Sequence, residues 1–233
     1  WLIMINTKLD CVGVILAGGL SSRMGQDKAQ LQRTLSSPVQ GSQCSQSMLD
    51  FSQQLLRDAG ITHTLISGDN HQIPDMIKNA GPVGGIFSVL NHYPEQLQPR
   101  ALMIIPVDLP LMTSQHLAKL KLTGELSQKA SFFSDYQQRI HHLPLYLPNN
   151  VYLQTFLAQT FTKQNLASMS SNDSSKKSGP SVKALLANIP HVSVPNSDKH
   201  VLFNSNTPTQ WQQAQQRFNQ AVEPHNDTFL LKD

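Results

Sequence analysis

Apolar residues cluster in short unbroken runs separated by amphipathic stretches, and the alternation predicts an α/β fold. Val12-Gly13-Val14-Ile15-Leu16 is apolar on both parities, as in a strand buried on both faces of a parallel sheet. Met48, Leu49, Phe51, Leu55 and Leu56 share one helical stripe, which Gly60 ends. Thr64-Leu65-Ile66-Ser67 reads as a second strand, broken by Gly68-Asp69-Asn70. Gly81-Pro82-Val83-Gly84-Gly85 opens a helix carrying Ile86, Phe87, Val89 and Leu90, and Ala101 to Ile105 is a third strand. Strand, helix, strand, helix, strand predicts a parallel sheet. Thr113 caps a helix holding Leu117 and Leu120.

Beyond residue 130 the pattern loosens into strands around Phe132 and Leu145-Tyr146-Leu147, then a helix with Val151, Leu153, Phe156 and Leu157. Ser181 to Leu186 restarts a helix and a short strand follows near Val192. Thr207-Pro208 begins the last helix, with an N-cap and a proline at the first position, and Trp211 and Phe218 on it are expected to pack. Two stretches escape the periodicity. Residues 32 to 46, rich in Ser and Gln and interrupted by Pro38 and Gly41, predict an exposed loop. Residues 164 to 180 hold too little apolar surface to order themselves.

At 233 residues the chain suits one domain with a full-sized core, and no internal repeat is visible. Eighteen Lys+Arg against fifteen Asp+Glu leave a formal charge of +3, too small and too scattered for a nucleic-acid surface. Cys11 and Cys44 lack CxxC spacing, which argues against a zinc site or a disulfide framework and fits a reducing cytoplasm. The apolar start Trp1 to Ile5 is too short for a signal h-region, and Met4 is the expected natural first residue. No run approaches the roughly 20 apolar residues that cross a bilayer, so no membrane association is expected.

Chemistry concentrates just after the first strand, where Leu16-Ala17-Gly18-Gly19-Leu20-Ser21-Ser22-Arg23-Met24-Gly25-Gln26-Asp27-Lys28 packs three glycines, an arginine and a lysine into one loop. Neither GxxxxGK[ST] nor GxGxxG fits it. A strand, an adjacent glycine pair and two cations nevertheless present backbone N–H groups and charge to a nucleotide's phosphates, at the sheet edge where α/β folds bind ligands. Pro106-Val107-Asp108-Leu109-Pro110 brings a carboxylate to the same edge, and a hard oxygen there suits Mg²⁺. Alone, Asp108 would be read as a turn residue. Phe203-Asn204-Ser205-Asn206-Thr207-Pro208 adds two amides two residues apart on an extended segment before a helix. His141 and His142 have neither an HxxxH partner nor a nucleophile motif, and Lys176-Lys177 reads as a solvated loop.

Taken together, the glycine loop, the GPVGG element at 81–85, PVDLP at 106–110 and FNSNTP at 203–208 make the chain resemble the molybdenum cofactor guanylyltransferases over nearly its whole length. The most specific part is LAGGxSxRMGxDK, here Leu16 to Lys28. The resemblance implies a single Rossmann-like domain of the nucleotide-diphospho-sugar transferase type, with a mostly parallel central sheet flanked by helices. Residues 12–110 would bind nucleotide and 111–233 the pterin substrate, with a flexible loop at 164–180.

It further implies that Leu16, Ala17, Gly18 and Gly19 meet the guanine nucleotide through backbone, that Lys28 meets phosphate and that Arg23 flanks the triphosphate. Ser67 would take the base-contacting position, where the family often has asparagine, and Asp75 matches a nucleotide-binding aspartate at slightly shifted spacing. Asp108 would hold Mg²⁺; Arg23, Lys28 and Asp108 would form the catalytic set. Asn204 and Asn206 match the late Asn-x-Asn element near metal and pterin, and His142 lies on the pterin side. The implied reaction moves GMP from GTP to the terminal phosphate of molybdopterin, in the cytoplasm. Implied partners are molybdenum-insertion and molybdoenzyme-maturation proteins. A cytidylyltransferase on the same pterin stays open through Ser67, and a sugar-phosphate nucleotidyltransferase is disfavoured by Asp27 before Lys28. A non-enzymatic nucleotide-binding protein would not need Asp108 together with the paired asparagines.

Overall fold

The computed structural model describes residues 8–18, 27–36, 43–162 and 178–220. Its six-stranded sheet has β1 (Cys11–Leu16) between β4 (Thr64–Ser67) and β5 (Ala101–Pro106), both parallel to it. Beyond β5 come β7 (Ile140–Pro148), β6 (Ala130–Ser134) and β8 (His191–Pro195), giving the order β4-β1-β5-β7-β6-β8. Only β7 runs against its neighbours, because β6 returns directly into it as a hairpin.

The strand pleat sorts side chains onto two cores. Met103 and Ile105 of β5 face one side with Ile15, Phe133 and Tyr146, covered by α1 (Met48–Asp58), α3 (Ser114–Ser127) and α6 (Pro208–Gln220). Leu102 and Ile104 face the other with Val12, Val14, Phe132 and Leu145, under α2 (Gly81–His92), α4 (Val151–Thr160) and α5 (Val182–Leu186). Burial on both faces is why these strands read as continuous apolar runs. The expected Thr113 cap forms, and Ser47 and Ser181 cap α1 and α5 in the same way, each side chain accepting a backbone N–H of the helix it precedes. Gly60 follows α1 at φ +80, as a C-terminal glycine should. Gly124 in α3 lets Tyr146 lie flat on the helix backbone, since a Cβ there would stand 2.0 Å from Tyr146 Cδ1.

One expectation is corrected. The segment 32 to 46 is no loop but an antiparallel hairpin, β2 (Gln32–Ser36) with β3 (Gln43–Ser47), and Pro38 and Gly41 fall in the 37–42 stretch outside the described residues. Its polar sequence hid the strands because the hairpin packs through a cation. The Arg33 guanidinium lies 3.7 Å from the Phe51 ring centroid and 4.4 Å from that of Phe218 on α6, and burial lowers its pKa to about 10. Most of the low-complexity stretch, residues 163–177, also lies outside the description. Its end is held: Ser178 N–H donates to Asn79 O at 3.0 Å, and Gly179 packs on the Ala80 backbone. No described helix is long and apolar enough to cross a membrane.

Strand directions bring the ends of β1, β4, β5, β6 and β8 and the start of β7 to one edge. All the candidate residues in the description lie along it.

Candidate active site

At one end of this edge two glycines let backbones touch. Ala17 N–H donates to Ser67 O at 3.0 Å, and a Cβ on Gly68 would stand 2.8 Å from Gly18 N. Beside them is Asp75, whose Oδ2 lies 3.7 Å from where a Gly18 Cβ would be. The loop between β4 and Asp75 is closed by its own backbone, with Gly68 N–H donating to Ile73 O at 3.0 Å, and Met76 N–H donates to the buried Ser88 hydroxyl at 2.9 Å. Burial pushes the Asp75 carboxyl above its ordinary pKa, and Asp69 adds repulsion; a hydrogen bond with the Ser67 hydroxyl opposes both.

Ser67 itself is only 2 % exposed, and its Oγ lies 2.9 Å from the position a Gly85 Cβ would take. The hydroxyl expected to meet the base is buried beneath Gly85 and engaged with Asp75. The Asp75 carboxyl is half-buried next to the Gly18 backbone, with His71 against Gly68 and Asp69 close by.

The other end is built by three distant segments. Asp27 Oδ1 accepts from Ala29 N–H at 2.9 Å and caps a short 3-10 turn, Lys28–Gln30, whose Ala29 is fully buried. That turn aims Lys28 Nζ at Asp108 Oδ2, 2.8 Å away, and at Asn206 Oδ1, 2.6 Å away. Asp108 is placed from β5, with Val107 N–H donating to Leu16 O at 3.3 Å and Ser205 N–H to Asp108 O at 3.0 Å. Asn206 is fixed by the start of α6. Thr207 Oγ1 accepts from Gln210 N–H at 3.3 Å while Gln210 Oε1 accepts from the N–H groups of Thr207 and Asn206, a reciprocal capping box.

Lys28 and Asp108 side chains are 17 % and 13 % exposed, yet Asp108 Oδ1 is buried with no hydrogen-bond partner. A buried, unpaired anionic oxygen is costly unless something cationic meets it. Among the described residues no cluster of three or more His, Cys, Asp or Glu could hold a metal. A cation on Asp108 would therefore need oxygens from bound phosphate and water, which is the way Mg²⁺ is commonly held.

The structure thus unites Lys28, Asp108 and Asn206, sets Leu16, Ala17, Gly18, Ser67 and Asp75 at the neighbouring end, and separates the remaining pair. Asn204 is exposed and lines a cleft of about 310 Å³ with Asp135, Tyr136, Arg139, His141 and Lys199 among others. His142 is absent from that lining. Successive strand residues point to opposite faces, so His141 meets Asp135 (Nε2 to Oδ2, 3.5 Å) while the His142 ring sits 6.3 Å from that of Phe132, toward the other core. Burial lowers the His142 pKa, with Lys183 and His141 adding repulsion. Arg139 and Lys199 escaped the sequence reading because lone cations in turns carry no motif. Gly19 and Arg23 lie outside the described residues.

Residues 13–172 match the model of the MobA-like NTP transferase domain. The chain belongs to the MobA-like NTP transferase family. It is a nucleotidyltransferase. Over 204 residues it is 32 % identical to a protein of Xanthomonas euvesicatoria pv. vesicatoria (strain 85-10) named molybdenum cofactor guanylyltransferase, covering 85 % of this chain and 91 % of that one. Among solved structures, the molybdopterin-guanine dinucleotide biosynthesis protein A of Archaeoglobus fulgidus superposes with a TM-score of 0.58 at 16 % identity, covering 88 % of this chain and 97 % of that one. A Mycobacterium tuberculosis H37Rv protein solved as a manganese complex gives 0.53 at 12 % identity, covering 89 % and 98 %. These two likenesses establish the fold. It is the mostly parallel, helix-flanked sheet of the MobA-like family.

Proposed function

We propose that this MobA-like enzyme transfers GMP from GTP to the terminal phosphate of molybdopterin, with or without bound molybdenum, forming the guanine dinucleotide and pyrophosphate. The observation that carries the proposal is the Lys28, Asp108 and Asn206 cluster with its unpaired Asp108 Oδ1, one strand end away from the glycine loop. The name of the Xanthomonas relative supports the choice of substrate.

An oxygen of the pterin's phosphate monoester attacks the α-phosphorus. A new P–O bond forms, and the bond from Pα to the oxygen bridging to the β-phosphate breaks, with pyrophosphate taking the electron pair. The monoester is already anionic near neutral pH, so no side-chain nucleophile is required, and the protein's work is holding and charge neutralisation. Lys28 Nζ has three donors, of which Asp108 and Asn206 use two, and the third serves a phosphate oxygen. Arg23 flanks the triphosphate from the loop. A divalent cation, Mg²⁺ in this reading, would be held by Asp108 Oδ1 and would offset charge on the phosphate oxygens. The manganese complex of the Mycobacterium tuberculosis neighbour is in keeping with that.

Base choice falls to Asp75. Guanine offers adjacent N1–H and 2-amino donors to one carboxylate, whereas cytosine sets a single amino donor beside a ring acceptor. A site built to pair both donors discriminates strongly against a base lacking one. Ser67 holds that carboxylate in place. Proteins that insert molybdenum and mature molybdoenzymes are the partners this reaction calls for.

Pyrophosphate release with molybdopterin and each NTP in turn tests the proposal. Release selective for GTP is expected; selectivity for CTP would overturn the base assignment, and release with a sugar phosphate in place of the pterin would overturn the acceptor.

A further inference from the structure

The connector between Asp75 and α2 is bent twice and pinned from outside. Asn79 at φ +58 and Gly81 at φ +65 are both left-handed, a conformation that residues other than glycine hold only at a cost. Between them the buried Ala80 stands at the N-cap of α2 and makes no side-chain cap bond. On one side, Met76 N–H is held by the Ser88 hydroxyl of α2. On the other, Ser178 donates twice, its hydroxyl to Lys78 O at 2.5 Å and its N–H to Asn79 O at 3.0 Å. Ser178 and Lys78 are 100 residues apart in the chain, so the bend is fixed by a segment that local sequence does not supply.

Gly179 completes the clasp. A Cβ there would stand 2.8 Å from Ala80 Cα and 2.9 Å from the Ala80 carbonyl carbon. Gly179 is not left-handed, so what glycine supplies is room for close approach rather than conformational freedom. Immediately after it, Ser181 caps α5, and Val182 packs in one core with Ile77, Ala80 and Val83.

The bend carries part of the site. Asp75 directly precedes Met76, and its carboxyl lies between the Gly18 backbone and the Ser67 hydroxyl. Ser67 in turn lies beneath Gly85 of α2. The connector and α2 therefore fix both the carboxyl and the hydroxyl that holds it. A carboxylate that pairs two donors on one base edge needs placement to within about 0.5 Å.

We propose that Ser178 and Gly179 are positioning residues for the Asp75 carboxylate, so that a clasp from the chain after α4 sets how strictly the enzyme reads its base. The proposal rests on the base contact proposed above for Asp75.

Calorimetric titration with GTP and with ITP, which lacks only the 2-amino group, tests it. The wild type should bind GTP about tenfold to a hundredfold more tightly than ITP, the worth of one hydrogen bond to a charged group. Ser178→Ala keeps the main-chain bond and loses that of the hydroxyl, so the preference should fall about twofold to tenfold, and Ser178→Thr should restore it. Gly179→Ala should lower it further, because the methyl drives the clasp off Ala80. In an Asp75→Asn background, which lacks the preference, neither variant should alter the ratio. A merely structural clasp would lower Tm and weaken both nucleotides alike, so a wild-type GTP-to-ITP ratio in folded Ser178→Ala and Gly179→Ala overturns the proposal and leaves the base contact standing. If Gly179→Ala does not fold, Ser178→Ala alone decides. Equal binding of GTP and ITP by the wild type, or a preference that survives Asp75→Asn, overturns the base contact and the clasp together.

Discussion

Lys28→Ala separates the structural from the catalytic role of the phosphate end. In the resting protein the ammonium pairs with Asp108 Oδ2 at 2.8 Å and Asn206 Oδ1 at 2.6 Å, so the substitution leaves both acceptors bare beside the already unpaired Oδ1. Breaking a fully buried pair by removing one partner costs about 3–5 kcal/mol. With 17 % and 13 % of the two side chains exposed, water covers part of that, and a loss of about 1–3 kcal/mol is expected. For a chain of this size that lowers Tm by about 2–12 °C. The catalytic effect should be larger, because losing one preorganised contact to developing charge costs about 100-fold to 1000-fold in turnover. Thermal melts followed by pyrophosphate release, assayed well below the melting range, measure the two independently. Removing a cation from Asp108 should also lower the divalent-cation concentration needed for half-maximal activity. A folded Lys28→Ala enzyme with turnover within about threefold of wild type would refute the assignment.

Asp108→Asn keeps an acceptor for Lys28 and the backbone bond from Ser205, so it should melt near wild type while losing about 100-fold or more in pyrophosphate release. The raised Asp75 pKa means that the folded protein favours the protonated carboxyl, so Asp75's contribution to stability declines as pH rises through that pKa; under the proposed base contact, GTP binding should strengthen over the same window as the carboxylate forms. Calorimetric titration across pH should therefore show GTP affinity falling on acidification from a point above the ordinary carboxyl value of 3.8. Ser67→Ala should move that point higher by removing the opposing hydrogen bond. Gly124→Ala would force a methyl to within 2.0 Å of Tyr146 Cδ1, and thermal melts should show about 1–3 kcal/mol of destabilisation with GTP affinity unaltered at low temperature.

Where apolar side chains decide structure, the sequence was readable. β1, β4 and β5 matched their apolar runs, and the helix capped by Thr113 began where that side-chain oxygen marked it. The β2–β3 hairpin was not readable, since its anchor is Arg33 between two rings contributed by α1 and α6, a long-range contact without local periodicity. The same distinction holds at the site. Lys28, Asp108 and Asn206 sit in motifs, and their convergence across 80 and 178 residues followed from strand direction. Ser67 and Asp75 were both visible as polar residues after β4, but only burial reveals that one supports the other. Strand parity counted from Leu145 and Tyr146 puts His142 on the Tyr146 face, and it is the pairing shift between Phe132 and Phe133 that turns His142 to the other core, so its placement could not be read from the sequence.

The segment from Asn204 to Asn206 ties these observations into one arrangement. Ser205 is buried and bonded to the Asp108 backbone, so its neighbours are displayed to either side of a fixed point: Asn206 to Lys28, Asn204 to the cleft with Arg139. An in-line displacement needs attacking and leaving oxygens on opposite sides of one phosphorus. In the proposed reaction a chain that fixes both flanks through a single buried residue would meet that requirement without a separate hinge, and the capping box at Thr207 and Gln210 stiffens it from the helix side. Ser205→Ala removes a hydroxyl that lies 3.4 Å from Asp108 O but keeps the main-chain bond, so register and turnover should survive. Ser205→Pro deletes the N–H itself and should lower turnover at saturating GTP and acceptor together. Loss of acceptor affinity alone in the proline variant, with turnover intact, would show that the two flanks are positioned independently.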